Sequence, residues 1–298
     1  MFSIIISVLN AEKFIKKTLD SILMQNYLDF EIIIIDAGSK DNTNLIIGLY
    51  KLNHSNIYHK IIQSISFPSA LNYGFKIAKG EIYAFINSDD YYLNNSVFDK
   101  VNSLFQINKS LNWLHSKGLY VDANNKPLFS YNSKDVTFKN FALEANSFIC
   151  QPTVFFRKKI YDNTNGFDEN IICLVDLDLW TKFLLNGEKP FFDKTQCFAS
   201  YRLHNTSFSI GHKNKILLDL IYYRNKYENC ISNNFKVLDY IFYQNLRILN
   251  YFHFYRDKLS FMNLYKKTIP NFKFSFLFVT PKKIIRLILL ILFYKIKK

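Results

Sequence analysis

Cysteine is scarce in this sequence, and its four cysteines lie far apart without a C-x-x-C pair. That spacing argues against a zinc knuckle, and a disulfide framework would be unusual in a chain of 298 residues. The sequence therefore predicts a protein of the reducing cytoplasm. The cysteines are Cys150, Cys173, Cys197 and Cys230.

Glycine-rich phosphate loops and long apolar spans are absent as well. The sequence contains neither G-x-G-x-x-G nor G-x-x-x-x-G-K-[ST], which excludes a dinucleotide fingerprint and a P-loop. The first nine residues are apolar but have no basic region and are too short for a signal peptide, so they predict a first strand. The longest uncharged run near the end, residues 287–294, is shorter than the roughly 20 residues of a membrane-spanning helix.

Acidic residues are scarce in the last third of the chain. Residues 201–298 contain 18 Lys and Arg but 4 Asp and Glu, which accounts for the whole net charge of +14. Residues 1–200 contain 20 of each kind and are neutral. This asymmetry predicts a neutral body followed by a basic region whose partner is an anionic surface, either a membrane or a nucleic acid.

Apolar runs of strand length alternate with helical patterns over the first hundred residues. The runs lie at residues 4–9, 31–35 and 82–86, with a weaker one at 58–62, and amphipathic segments separate them. Continuous apolar runs are typical of buried parallel strands. The pattern predicts an α/β fold with a single Rossmann-like, mostly parallel central sheet flanked by helices.

Polar side chains follow three of these predicted strands. Asn10 follows the first, Asp36 the second, and the pair Asp89-Asp90 the fourth. The carboxyl ends of parallel strands share one edge of a sheet, where open α/β sheets bind ligands. Two adjacent carboxylates there suit a hard divalent cation together with a phosphate-bearing ligand. The alternatives are a solvated turn for the pair and an Asx-turn for Asp36.

Two later segments carry isolated polar groups. Asp176 opens a segment with helical apolar spacing, where an N-cap is the simplest role. Further on, Arg202 and His204 bring a guanidinium and an imidazole close together. A guanidinium in such a place can pair with phosphate. A lone histidine is more often structural than a ligand.

Several ordered motifs resemble those of the inverting glycosyltransferases of family 2, which have the GT-A fold, and in particular the type that builds bacterial surface polysaccharides. The resemblance covers about the first 210 residues, and seven motifs in the right order make chance a poor explanation. The matching segments are residues 7–10 with 36–43, 70–74 with 78–81, 88–90, 151–153, 166–169, 176–180 and 201–204.

The resemblance implies a role for each matching residue. Asp36 would contact the nucleobase, Asp89 the ribose or the metal, Asp90 would bind Mn²⁺ or Mg²⁺, and Asp176 would be the general base. His204 would reach the metal or the diphosphate. Further contacts with the donor are implied for Val8, Asn10, Ser39, Asn72, Gly74, Asn87 and Arg202.

One position departs from the family pattern, so the choice between two aspartates as the general base stays open. Many relatives have Glu just before the base, whereas this chain has Val175. Asp176 is the predicted base, and spacing alone does not exclude Asp178. The two residues lie two apart, so on a helix their side chains face different ways.

The implied boundary places a glycosyltransferase domain at residues 1–210 and a basic, mainly helical region at 211–298. Within it, residues 272–298 combine an apolar segment with flanking lysines, which predicts an interfacial anchor on an anionic membrane surface. The alternative is a C-terminal helix packed on the body. The anchor would place the protein at the inner face of the cytoplasmic membrane, where a polyprenyl-diphosphate-linked acceptor would be within reach.

The sequence therefore predicts a metal-dependent inverting glycosyltransferase. The donor would be a UDP-, GDP- or TDP-sugar, and the acceptor a glycan or a lipid-linked glycan. The alternative is a non-catalytic relative that binds carbohydrate or a partner, which the presence of all four key aspartates disfavours. A nucleic-acid partner is not expected, because the front of the chain is neutral and no nucleic-acid motif occurs.

Overall fold

The chain divides into two compact units. The first comprises Met1–Thr137 and Ser147–His212, and the second comprises Phe138–Asn146 and Lys213–Lys298. Every candidate site residue named above belongs to the first unit. The computed structural model describes residues 1–138, 141, 148–205, 207 and 213–228.

Strands and helices alternate through the first part of the chain, as the apolar pattern predicts. Each strand is a short apolar run, and each helix carries its buried residues on one face. The elements are β1 (Phe2–Val8), α1 (Ile15–Leu23), β2 (Phe30–Asp36), α2 (Thr43–Asn53), β3 (Ile57–Ile61), α3 (Phe67–Ile77) and β4 (Ile82–Phe85).

The second part of the first unit adds three short strands, two long strands and three helices. The sequence patterns did not predict the strands β5, β7, β8 and β9. The elements are β5 (Tyr91–Tyr92), α4 (Val97–Ile107), β6 (Trp113–Val121), β7 (Pro127–Ser130), a 3-10 turn (Gln151–Thr153), β8 (Phe155–Arg157), α5 (Lys158–Asp162), α6 (Val175–Leu185) and β9 (Phe191–Arg202).

The strands of the described residues form one nine-stranded sheet in the order β3-β2-β1-β4-β8-β6-β9-β5, with β7 paired to β6. The strands from β3 to β4 are parallel, while β8 runs antiparallel to both β4 and β6. The chain moves outward from β1 to β3 and then returns to place β4 on the other side of β1. The carboxyl ends of β1 and β4 therefore flank a topological switch point, where α/β sheets bind ligands.

Helices cover both faces of the parallel strands. Even-numbered residues of β1 and β2, such as Ile4 and Ile34, share a core cluster with Leu19 of α1. Ile5 and Ile35 point to the opposite face, where they contact Gly74 of α3. Because strand side chains alternate between faces, this arrangement makes nearly every residue of these strands apolar. The predicted α/β class, with central parallel strands and flanking helices, is confirmed.

In the second unit, the described part of the chain forms one helix, α7 (Lys213–Glu228). Among the described residues, no helix combines the length and the apolar character needed to cross a membrane. The predicted anchor at residues 272–298 lies outside the described residues. The predicted domain boundary at residue 210 stays a prediction.

Candidate active site

Asp36 ends β2 and is fully buried. Its Oδ1 accepts hydrogen bonds from the backbone N–H groups of Gly38 and Ser39, at 2.7 and 2.6 Å. Its Oδ2 has no hydrogen-bond partner among the described residues. A buried carboxylate oxygen without a donor is costly, so this atom fits a ligand that brings an N–H or O–H group.

The loops after β1 and β2 are tied together beside Asp36. Asn10 adopts the left-handed conformation with φ 51°, which asparagine tolerates better than most residues. Its N–H donates to Ser39 Oγ at 2.9 Å, and its Oδ1 accepts from Lys40 N at 2.8 Å. The N–H of Ala37 donates to Val8 O. Four predicted donor-binding residues thus lie together: Val8, Asn10, Asp36 and Ser39.

The turn after β4 holds the two adjacent carboxylates. Asp90 is 1% exposed, and its carboxylate accepts hydrogen bonds from Arg202 N at 2.8 Å and from Asn87 Nδ2 at 3.2 Å. Thr18 of α1 donates its hydroxyl hydrogen to the backbone carbonyls of Ser88 and Asp90. Helix α1 therefore fixes the backbone of the turn that presents the acids.

The ionised form of the Asp90 carboxyl group is destabilised in this structure. Burial raises the pKa of Asp90 well above its ordinary value, and the negative charge of Asp89 raises it further. A divalent cation beside the two carboxylates would offset both effects, so their chemistry fits such an ion. No set of three or more His, Cys, Asp or Glu side chains forms a complete metal site in the described part of the chain. The missing ligands would have to come from water or from the phosphates of a substrate.

His204 lies against the same acidic turn. Its Nε2 is 2.8 Å from Asp89 Oδ2, and its ring packs on Phe14, with centroids 4.5 Å apart. The structure therefore brings His204 to the predicted metal ligands. A cavity of about 440 Å³ opens beside this pair. It is lined by Lys13, Phe14, Ala123, Asn124, His204 and Asn205.

Arg202 is 2% exposed and connects the acidic turn to the β6–β7 loop. Its Nε donates to Asp89 O at 2.6 Å, and its Nη1 donates to Ala123 O at 3.1 Å. The guanidinium lies over the rings of Phe14 and Tyr91, 4.9 and 5.3 Å from their centroids. Its Nη2 is buried without a hydrogen-bond partner among the described residues. That nitrogen fits an anionic ligand atom at the site.

Helix α6 carries the two candidate bases. Trp180, on the same helix, stacks on Trp113 of β6 with centroids 5.6 Å apart. Asp176 is the second residue of α6, because Leu174 occupies the N-cap position that the sequence suggested for it. Asp178 is 1% exposed, and its carboxylate lies 3.0 Å from Lys182 Nζ. The two aspartates lie two positions apart on α6, so their side chains leave the helix in different directions. Asp178 forms an ion pair with Lys182.

Cys150 is a fully buried thiol on which charges of the acidic turn and of α6 act. Burial raises the pKa of Cys150 well above its ordinary value, and the negative charges of Asp90 and Asp176 add to that shift. Both carboxylates therefore lie within electrostatic range of the same sulfur. Sequence order gives no hint of this arrangement, since the three residues lie on separate segments of the chain.

Asn72 and Gly74 have structural contacts. Asn72 accepts hydrogen bonds from Tyr161 Oη and Phe167 N, and donates to Phe167 O. A Cβ on Gly74 would lie 2.6 Å from Ile5 Cγ2, so glycine allows α3 to pack closely on β1. The predicted contact of these two residues with a donor stays a prediction.

Some residues around the site were not singled out from the sequence. Lys13 and Phe14 precede α1, and Asn124 lies in the β6–β7 loop. Thr18 is an ordinary helical residue by sequence. Lys13 and Phe14 lie between β1, which ends at the switch point, and α1. This position was the one signal in the sequence that could have marked them as site residues.

Comparison with known proteins identifies the family. The model of "Glycosyl transferase family 2" matches residues 3–164, which is more than half of the chain. The chain belongs to glycosyltransferase family 2. The family predicted from the sequence motifs is therefore confirmed.

Curated relatives of this family 2 chain cover the same region. An uncharacterized glycosyltransferase of Rickettsia typhi, RT0329, is 30% identical over 211 residues, which are 69% of this chain and 64% of that protein. The O-antigen biosynthesis glycosyltransferase WbnJ of Escherichia coli is 28% identical over 222 residues, covering 70% of this chain and 81% of WbnJ. The match thus spans less than two thirds of the Rickettsia relative.

Solved structures share the GT-A fold with this family 2 chain. TarS residues 1–349 of S. aureus, in complex with UDP-GlcNAc, align with a TM-score of 0.68 at 19% identity, covering 91% of this chain and 81% of that TarS fragment. The mannosyltransferase PcManGT of Pyrobaculum calidifontis, in complex with GDP-Man and Mn²⁺, aligns with a TM-score of 0.60 at 15% identity, covering 84% and 71%. The predicted GT-A fold is confirmed.

Proposed function

We propose that this protein is a divalent-cation-dependent, inverting glycosyltransferase. It transfers a sugar from a nucleotide-sugar to a hydroxyl group of a glycan or lipid-linked acceptor in cell-surface polysaccharide assembly. The observation that carries this proposal is the placement of Asp36 and of Asp89-Asp90 at the carboxyl ends of β2 and β4, on either side of β1. The end of β2, with Asp36, suits a nucleoside, and the turn after β4, with Asp89-Asp90, suits a diphosphate.

The nucleoside would bind where the loops after β1 and β2 meet. The free Oδ2 of Asp36 would accept a hydrogen bond from an N–H group of the base. Two structural neighbours were solved in complex with UDP-GlcNAc and with GDP-Man, which supports a nucleotide-sugar as the class of donor. The donor here would be a UDP-, GDP- or TDP-sugar, with Asp89 placed to reach the ribose.

The diphosphate would lie beside the acidic turn. Asp89, Asp90 and His204 are the residues that would hold a Mn²⁺ or Mg²⁺ ion, and the Mn²⁺ in the PcManGT complex supports such an ion. The ion would supply positive charge to the departing diphosphate. Arg202 would add a fixed positive charge, and its free Nη2 would donate a hydrogen bond to a phosphate oxygen.

Asp176 would remove the proton from the acceptor hydroxyl. A direct displacement with inversion needs a carboxylate on the face of the sugar opposite the leaving group. Asp178 is ion-paired with Lys182, so of the two aspartates Asp176 is the better base.

The place of action would be the inner face of the cytoplasmic membrane. The relative from Escherichia coli is named for O-antigen biosynthesis, which supports a role in surface polysaccharide. The basic residues of the C-terminal region would hold the protein on anionic lipid, close to a polyprenyl-diphosphate-linked acceptor.

The test is release of nucleoside diphosphate from a panel of UDP-, GDP- and TDP-sugars, with Mn²⁺ or Mg²⁺ and detergent present. We expect turnover of one donor that depends on the metal and is lost in Asp90→Asn and in Asp176→Asn. Asp162→Asn is the matched control, because that carboxylate is exposed and pairs with Lys158. If no nucleotide binds in the presence of metal, the proposal is wrong and a non-catalytic role replaces it.

A further inference from the structure

Four aromatic rings form one continuous surface on the strands β6, β7 and β9. The ring of Tyr120 lies at its centre, and the centroids of Phe129, Tyr131 and Tyr201 are 4.7, 5.1 and 5.4 Å from it. Tyr120 is paired with Phe129 on one side and with Tyr201 on the other, so the three rings share one face of the sheet. We call these four residues the aromatic surface.

This surface is open to solvent. Every residue of β7 is exposed, and Phe129 is 57% exposed. The three tyrosines are partly exposed. Exposed aromatic rings that cluster in this way are typical of binding surfaces rather than of a folded core.

The aromatic surface adjoins the candidate active site. Gly118 lies two residues before Tyr120 on the same face of β6, and Cys150 and Tyr131 fill the space that a side chain there would need. Burial raises the pKa of Tyr120 to about 12, and the charges of Cys150 and Asp90 act in the same direction. Tyr201 directly precedes Arg202, whose N–H donates to Asp90 Oδ1 at 2.8 Å, so the surface begins one residue from a contact with the acidic turn.

We propose that the aromatic surface is an acceptor subsite that binds a pyranose ring of a glycan. This inference rests on the proposed function and deepens it. The C–H groups on one face of a pyranose carry partial positive charge and pack on the negative faces of aromatic rings, while tyrosine hydroxyls bond to sugar hydroxyls. Continuity with the acidic turn through Arg202 would place the sugar near the proposed metal ligands.

The experiment uses the full chain and saturation-transfer NMR with the methyl β-pyranosides of glucose, galactose and N-acetylglucosamine. We expect transfer to the ring C–H protons of at least one pyranoside, and binding about threefold to tenfold weaker in Phe129→Ala. Phe129→Trp should restore binding, because it keeps an aromatic face. Tyr58→Ala is the control, since Tyr58 is an exposed tyrosine on the edge strand β3 and should have no effect.

Two results would overturn the subsite: no transfer to any pyranoside, or equal transfer in wild type and Phe129→Ala. Binding of the chain to anionic lipid vesicles that Phe129→Ala abolishes, without pyranoside binding, would identify the surface as a membrane contact instead. Titration of UDP and GDP with Mn²⁺ in the same samples separates the two proposals. Nucleotide binding that persists while pyranosides fail rejects the subsite alone.

Discussion

His204 Nε2 lies 2.8 Å from Asp89 Oδ2, although the two residues are 115 positions apart in the chain. The contact joins the segment after β9 to the turn after β4, and His204 lines the cavity. An imidazole and a carboxylate held at this distance can serve one cation together. The pair therefore connects the two halves of the sheet at the proposed diphosphate site.

Removing this imidazole should weaken metal-dependent nucleotide binding. We expect His204→Ala to lower the affinity for UDP or GDP with Mn²⁺ by about tenfold or more, because one side chain near the ion is lost. Isothermal titration with and without Mn²⁺ measures the effect. His54→Ala, at the end of α2, is the control. An unchanged affinity in His204→Ala would remove His204 from the metal site.

The two aspartates of α6 should separate activity from stability. We expect Asp176→Asn to reduce turnover by about 10²–10⁴-fold while the melting temperature stays the same, as for the loss of a general base. Asp178→Ala should lower the free energy of unfolding by about 3 kcal/mol, because Lys182 loses its buried partner. Turnover assays and thermal melts on both variants check this. The reverse pattern would make Asp178 the base.

Gly74 should be required for packing. In Gly74→Ala the new methyl group would lie 2.6 Å from Ile5 Cγ2, and we expect unfolding to become easier by about 1–3 kcal/mol. Gly48→Ala is the matched control in α2, where nothing lies within 4 Å of the added carbon, and it should stabilise by about 0.5–1 kcal/mol.

Denaturant unfolding measures both glycine variants. Adding Ile5→Ala to Gly74→Ala removes the clashing methyl group, so the two substitutions should be less harmful together than their separate effects would sum to. Strict additivity would show that the close approach of α3 to β1 does not limit this position.

His115 should make stability fall in mild acid. Its side chain is fully buried beside Phe192, neither ring nitrogen has a hydrogen-bond partner in the described residues, and burial lowers its pKa from 6.5 to about 4. Below pH 6.5 the imidazole of His115 becomes protonated in the unfolded chain, whereas in the folded chain it stays neutral until the pH approaches 4. The contribution to stability is therefore complete above pH 6.5 and is lost as the pH falls towards 4.

The size of this effect is roughly 3 kcal/mol at most. His115→Phe keeps the stacked ring without the nitrogens, so we expect a flatter pH dependence between pH 6.5 and 4 and equal or higher stability at neutral pH. Urea unfolding at several pH values compares the variant with the wild type. Parallel curves for the two proteins would contradict the assignment.

Much of the front half could be predicted from the sequence because its signals are local. The isoleucine run of β2 and the acids that follow β2 and β4 are visible as short patterns. The strand β9 was missed for a physical reason. Its pairing with β6 shifts register where Ser116 faces Asp193 and Lys117 faces Cys197. The residues between break the alternation that would mark a strand.

Local sequence patterns were enough to predict the α/β class, the family and the strand-end positions of Asp36, Asp89 and Asp90, since strand length and period are properties of neighbouring residues. The tertiary structure alone decided that Asp178 is ion-paired and that His204 meets Asp89. Ion pairing and burial depend on which distant segments pack together, and one-dimensional spacing does not record that.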